Sequence, residues 1–304
     1  MQYSELHCIT NFTFLRGASH PHELVTMASN LGYRALAITD ECSLAGVVKA
    51  HVATFNRNIK LIIGSEFKID SHKVIVLVTN RNSYSKLSSL ITLARRRSKK
   101  GSYQIKWSDL KFNNDGLLII WLPCGDFKKD QLIISQLHDW FERRLWIGFH
   151  NLLNGTETSH LSYLQKLSLL WKVNVVACGD VHMHKKDRQP LQDVLTAIKQ
   201  KCSIMELGKS RYPNSERYLR KIEYLKNIYP EELMRETINI SNLCNFSLNE
   251  LRYEYPIEVV PKNLTSKEYL SFLVHQGAKK RWPSRIPKKI LSQINHELNI
   301  IYEL

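Results

Sequence analysis

The feature that most constrains this chain is an alternation repeated along its first 200 residues. Short runs of β-branched and other apolar residues take turns with longer amphipathic stretches. The runs are YSELH (3–7), RALAIT (34–39), KLII (60–63), KVIVLVT (73–79), LLIIW (117–121), LWIGFH (145–150) and NVVAC (174–178). They are apolar almost throughout, as strands covered on both faces must be, because there is no wet face on which to place polar residues. Between them, Leu24, Val25, Ala28 and Leu31 recur at helical spacing after Pro21, with Ser19 as the expected N-cap and Gly32 placed to end the helix. Residues 83–97 and 161–172 repeat the pattern. Strand–helix repetition predicts an α/β fold with a parallel sheet. Seven strands in so short a span suit a closed or nearly closed barrel, while a doubly wound sheet satisfies the same pattern.

After residue 188 the helical period takes over, in 190–200, 231–244 and 267–281. A proline-punctuated stretch, YEYPIEVVPKNLT (253–265), reads as a domain boundary. The last segment aligns Ile290, Leu291, Ile294, Leu298 and Ile301 on one face and lacks a capping residue. An uncovered apolar face there is expected of the front of a longer protein.

Composition narrows the function classes. The formal net charge is +15 over 304 residues, and a polyanion such as nucleic acid is the leading physical reason for such an excess. The base is densest at Arg95, Arg96, Arg97, Lys99 and Lys100, and again from Lys279 to Lys289. Either run is also what a solvated helix end looks like, since cations suit the negative end of the macrodipole. No apolar run reaches membrane-spanning length, and MQYSELH lacks the basic start and apolar stretch of a signal peptide. The six cysteines are scattered without a C-x-x-C pair, which predicts reduced thiols and a cytoplasmic protein.

Several predicted strands end in a side chain able to hold a metal: His7, Asp40, Glu66, His150, and Asp180 with His182. Strand C-termini of a parallel barrel converge on one face, so this placement points to a single site. Imidazole and carboxylate together suit Zn²⁺, Mn²⁺ or Fe²⁺, which activate water for phosphoester hydrolysis. Each residue alone also has a plain structural use, as a cap, an ion-pair partner or a buried histidine. His20, His22, His51, His138, His160 and His184 are expected to be surface or packing residues.

The stretches ELHCITNFTFLRGASHPHEL, GYRALAITDECSLAGVVKAH, LIIGSEF, LITLARRRSKKGSY, VACGDVHMHKKDRQPLQDVLTAIK and LRYEYPIEVVP resemble the N-terminal part of bacterial DNA polymerase III α-type polymerases. The likeness is closest to their error-prone, ImuC-like branch, and it runs through the whole chain. The resemblance implies a PHP-type distorted seven-stranded β/α barrel over 1–205, a mostly helical extension over 206–255, and the start of the polymerase palm from 256 to 304. It implies template-directed DNA synthesis past lesions in the damage response, with Mg²⁺ in the full-length enzyme. DNA, the sliding clamp and accessory mutagenesis proteins are the implied partners.

Carried over position by position, the PHP metal site is eroded. His7 fills the first place of the opening H-x-H, but Ile9 fills the second. Asp40 matches T-D-H, with Glu41 in place of the histidine. Glu66, His150, Asp180 and His182 keep their places, whereas Lys73 stands where a histidine would open the fourth strand. Isoleucine has no lone pair, and a lysine brings a competing charge. The expectation is a degenerate site holding at most one divalent ion (Mn²⁺, Zn²⁺ or Mg²⁺) in a module used for structure and partner docking. No D-x-D pair occurs from 253 to 304, so the chain carries no palm carboxylates of its own. The alternatives are a metal-dependent phosphoesterase or 3′-exonuclease using the six surviving ligands, and a non-catalytic nucleic-acid-binding module using Arg95 to Lys100.

Overall fold

The structure is a computed structural model that describes residues 2–251 and 260–303. Two compact units divide it, Met1–Leu251 and Arg252–Leu304. Residues 253–259 of the expected proline-marked boundary lie outside the described residues.

The first unit runs β1 (Ser4–Cys8), α1 (Pro21–Asn30), β2 (Ala35–Ile38), α2 (Val47–Thr54), β3 (Lys60–Ile69), β4 (His72–Val78), α3 (Arg81–Arg96), α4 (Trp107–Phe112), β5 (Leu117–Leu122), α5 (Phe127–Phe141), β6 (Leu145–His150), α6 (Glu157–Trp171), β7 (Val175–Cys178), α7 (Gln189–Gln200), α8 (Ile222–Ile228) and α9 (Glu231–Leu243). The seven strands form one sheet in sequence order. Its ends approach each other through a bridge between Cys8 and Val181, where Val181 N–H donates to the His7 carbonyl at 2.9 Å. The barrel is nearly closed.

Alternation along each strand divides the core in two. Leu6, Ala35, Ala37, Ile62, Ile75, Leu77, Leu118, Ile120, Val176 and Cys178 pack together in one cluster inside the barrel. Their neighbours, among them Ile38, Val74, Val76, Ile119, Trp121 and Ile147, pack outward beneath the helices. A strand buried on both faces explains why the sequence showed runs rather than alternation. The seam between β1 and β7 is held by Glu5, fully desolvated, whose carboxylate accepts from Tyr3 Oη–H and from the backbone N–H groups of His7 and Gly179, each at 2.9 Å. Burial raises the Glu5 pKa.

The sheet departs from the all-parallel arrangement at β4, which runs antiparallel to both β3 and β5. KLII continues as a ten-residue strand and turns back through Asp70 and Ser71, with Asp70 at φ 53°. Two residues cannot accommodate a crossover helix, so the chain makes a hairpin instead. At α1 the expected cap is displaced by one residue. His20 is the N-cap, its N–H bonded to Glu23, while the Ser19 hydroxyl is bonded to His184.

The segment after 205 is built into this unit. Arg220 is fully buried and donates to the Asn151 carbonyl at 2.9 Å, Tyr33 Oη–H donates to the Arg220 carbonyl, and α9 packs on β7 and β1. In the second unit α10 (Ser266–Arg281) packs against α11 (Lys288–Glu303). Thr265 caps α10 by accepting from Glu268 N–H, and three cations close its last turn.

Candidate functional site

The C-terminal ends of the parallel strands gather most of the sequence-marked residues. His7 closes β1 with its side chain fully buried, and both its nitrogens are engaged. Nε2 meets Glu66 Oε2 at 2.6 Å, and Nδ1 meets His150 Nε2 at 3.0 Å, the two rings stacked. Asp180 Oδ1 stands 3.6 Å from His7 Nε2 and 3.2 Å from His182 Nε2. Glu66 lies within β3 rather than just past it, because that strand extends to Ile69. Asp40 is committed elsewhere. Its oxygens accept from Thr10 N–H at 2.7 Å, from the Thr10 hydroxyl, and from the Thr13 hydroxyl at 2.7 Å, so it shapes the loop after β1.

Three cations enter the same space. Arg16, from the loop after β1, bridges Glu66 Oε1 at 2.7 Å and Glu41 Oε2 at 2.5 Å. Lys73 points inward from β4 and brings Nζ to 3.7 Å from Glu66 Oε2. Arg217, from the irregular segment before α8, pairs with Asp180 and lies over the Tyr212 ring. Glu41, at a lost histidine position, also accepts from Tyr103 Oη–H at 2.9 Å. Arg16, Arg217 and Tyr212 carried no ligand signal in the sequence. The only hint was the position of Arg16 in the loop that follows a functional strand end. Ile9, the other lost ligand, is fully buried.

The electrostatics follow from burial and from these pairs. Burial raises the cost of charge on Glu66, but Lys73 and Arg16 outweigh it and hold its pKa well below the usual range. Burial lowers His7, assisted by Lys73; it lowers His150 further, with His7 and Lys73 adding to it, and His182 likewise, with Arg16 adding. All three imidazoles are thereby pushed toward the neutral form. Burial, with Arg16 beside it, brings Arg217 down to about 10, still fully protonated. Backbone strain gathers at the same rim, with Leu15, Cys42 and Asp180 in the left-handed region at φ 58°, 45° and 46°.

His7, Glu66 and Asp180 place one ligand atom each within 4.8 Å of one another, a candidate group for a single ion. The surrounding charge does not favour a loaded cluster. Glu41, Glu66 and Asp180 are matched by Arg16, Lys73 and Arg217, so these six charges balance before any metal enters. A divalent ion would leave an uncompensated +2 among buried groups or would have to expel the cations. The open part is a polar pocket of about 340 Å³ with Lys68 and Lys199 at its rim.

Residues 5–144 match the PHP domain family. The chain is 47% identical over 301 residues to an error-prone DNA polymerase of Methylococcus capsulatus, covering 98% of this chain and 29% of that protein. It is 46% identical over 305 residues to the error-prone DNA polymerase of Saccharophagus degradans, covering 100% of this chain and 30% of that one. The chain thus spans about 30% of the length of the curated relatives it matches. Among solved structures it is similar to an amidohydrolase from Chromobacterium violaceum, at a TM-score of 0.42 and 15% identity over 59% of this chain and 87% of that one.

Proposed function

For a chain whose residues 5–144 match the PHP domain family and which is related throughout its length to error-prone DNA polymerases, we propose a role as the N-terminal PHP region of a translesion polymerase that acts in the DNA-damage response. In this reading the barrel supports the polymerase and offers a docking surface. The part from about residue 256 begins the polymerase region, and synthesis depends on carboxylates and Mg²⁺ outside this chain. DNA, the sliding clamp and accessory mutagenesis proteins are the proposed partners, in the cytoplasm.

One observation carries the non-hydrolytic part of this reading. Each carboxylate of the strand-end cluster is paired with a fixed cation, Arg16 with Glu41 and Glu66, Lys73 with Glu66, and Arg217 with Asp180. Hydrolysis of a phosphoester requires an activated water and a charge that grows in the transition state. Here the groups that would hold an activating ion already have partners, and His7 is locked between Glu66 and His150.

The rival is a metal-dependent phosphoesterase or 3′-exonuclease, favoured by the compact His7, Glu66 and Asp180 group. The deciding assay offers p-nitrophenyl phosphate and 3′-labelled single-stranded DNA with Mn²⁺, Zn²⁺ or Mg²⁺. No turnover above the protein-free rate is expected. Turnover that disappears in Asp180→Ala and His182→Ala would establish the rival instead.

A further inference from the structure

A second cluster of ligand-type side chains lies on the other side of the barrel wall. His72 opens β4 next to Lys73, but alternation turns it outward, under the helices, while Lys73 faces the strand-end site. There it meets Asp130, the fourth residue of α5, and Cys124, two residues beyond β5. His72, Cys124 and Asp130 each place one ligand atom within 4.8 Å of the others. The three come from separate elements that the sheet and α5 bring together.

The surroundings hold these groups in place. His72 Nε2 is 2.9 Å from Asp130 Oδ1. Asp130 also accepts from the backbone N–H groups of Cys124 and Gly125 at 3.0 and 2.9 Å, and from Tyr163 Oη–H at 2.5 Å. Although burial works against the charge, the donors from His72 and Tyr163 bring the Asp130 pKa down to about 2. The His72 ring is stacked on Trp121 and meets Trp107 edge-on. Its Nδ1 is buried and has no hydrogen-bond partner, although the residue is only 3% exposed. A buried imidazole nitrogen with no partner is uncommon in a settled core, because its desolvation goes uncompensated. Cys124 is half-exposed and gives access from solvent.

We propose that His72, Cys124 and Asp130 form a site for a thiophilic divalent cation of the Zn²⁺ class, outside the barrel wall and separate from the strand-end cluster. Nitrogen, sulfur and carboxylate oxygen are the donors that Zn²⁺ selects over Mg²⁺ or Ca²⁺. Neighbouring donors around a tetrahedral zinc lie about 3.4–3.8 Å apart; the three groups already lie within 4.8 Å, and His72 Nε2 and Asp130 Oδ1, now 2.9 Å apart, would open slightly to admit the ion. Ligation through Nε2 moves the His72 ring proton to the unpartnered Nδ1, releases the Cys124 thiol proton to solvent and leaves one coordination position for water.

The test uses the whole 304-residue chain, stripped with EDTA, and Co²⁺ as the probe. A thiolate-to-cobalt charge-transfer band is expected, saturating at about one ion per chain and removed by Zn²⁺. The strand-end cluster contains no sulfur and cannot give this band. Cys124→Ser is expected to abolish it and to weaken Zn²⁺ binding at least about 100-fold in competition with a chromophoric chelator. That variant alters a half-exposed atom, and its metal-free circular-dichroism melt checks that it folds. Absence of the band in the unsubstituted protein, or its survival in Cys124→Ser, overturns the proposal.

Discussion

Glu66 shows how a single side chain is determined from both ends of the argument. Its candidacy was legible, since a carboxylate after GS in LIIGSEF was expected at a strand end, although β3 runs on past it to Ile69. Its partners were not, because Arg16, Lys73 and His7 reach it from three other elements. Removing a buried carboxylate that serves two cations leaves Lys73 without its ion-pair partner and Arg16 with Glu41 alone. Glu66→Gln is therefore expected to lower unfolding free energy by about 3–5 kcal/mol in urea titrations, whereas Glu41→Gln, half-exposed and with Arg16 still paired to Glu66, is expected to lose about 1 kcal/mol. The histidines give a pH signature. His7, His150 and His182 have folded pKa values below their unfolded ones, so the unfolded chain takes up protons first as pH falls. Stability is full above about pH 6.5 and declines below it, with Glu66 adding a second loss at lower pH as its depressed carboxyl is finally protonated. Replacing His182 by Gln is expected to reduce the slope of unfolding free energy against pH between 6.5 and 5 by about one proton.

At the scale of elements, the β3–β4 hairpin explains what local pattern missed. Both segments read as strands, but their mutual direction depends on a two-residue turn, and an apolar run looks the same in either direction. The loop after β1 makes a similar point. A Cβ at Gly17 would stand 1.9 Å from the Thr10 carbonyl oxygen, a backbone atom that cannot swing aside. Gly17→Ala is expected to displace the loop that carries Arg16 and to cost about 2–4 kcal/mol, measured by thermal melting. Gly277 gives the opposite case, because an added Cβ meets nothing within 4 Å inside α10. Gly277→Ala is expected to stabilise that helix by about 0.5–1 kcal/mol, read as increased helical content on heating.

Across the whole molecule, the charge of +15 remains to be explained after the pairs are counted. Within the basic run, Arg95 holds the backbone carbonyls of Cys42 and Glu41, and Arg97 is paired with Asp109. Those two are structural, which leaves Arg96, Lys99 and Lys100 as the candidates to meet phosphate. On the proposed polymerase reading, binding to single-stranded DNA is expected to weaken steeply with salt. The triple change of those three residues to Ala is expected to reduce the slope of log K against log salt by about 2, in fluorescence anisotropy titrations. An unchanged slope would remove this run from the interface.

The sequence by itself determined the seven apolar strand runs, their alternation with helices and the ligand-type residues His7, Glu66, His150, Asp180 and His182, while the resemblance to the front of a polymerase chose the barrel over a doubly wound sheet. These are written in local periodicity and in short motifs, which need no knowledge of distant contacts. Only the tertiary structure decided that Asp40 would serve Thr10 and Thr13, that β4 would run backward, and that Arg16, Lys73 and Arg217 would balance the three carboxylates. The physical reason is range. A charge is satisfied by whatever the fold brings within a few ångströms, and here the nearest partners of Glu66 and Asp180 are separated from them by as many as 59 residues along the chain.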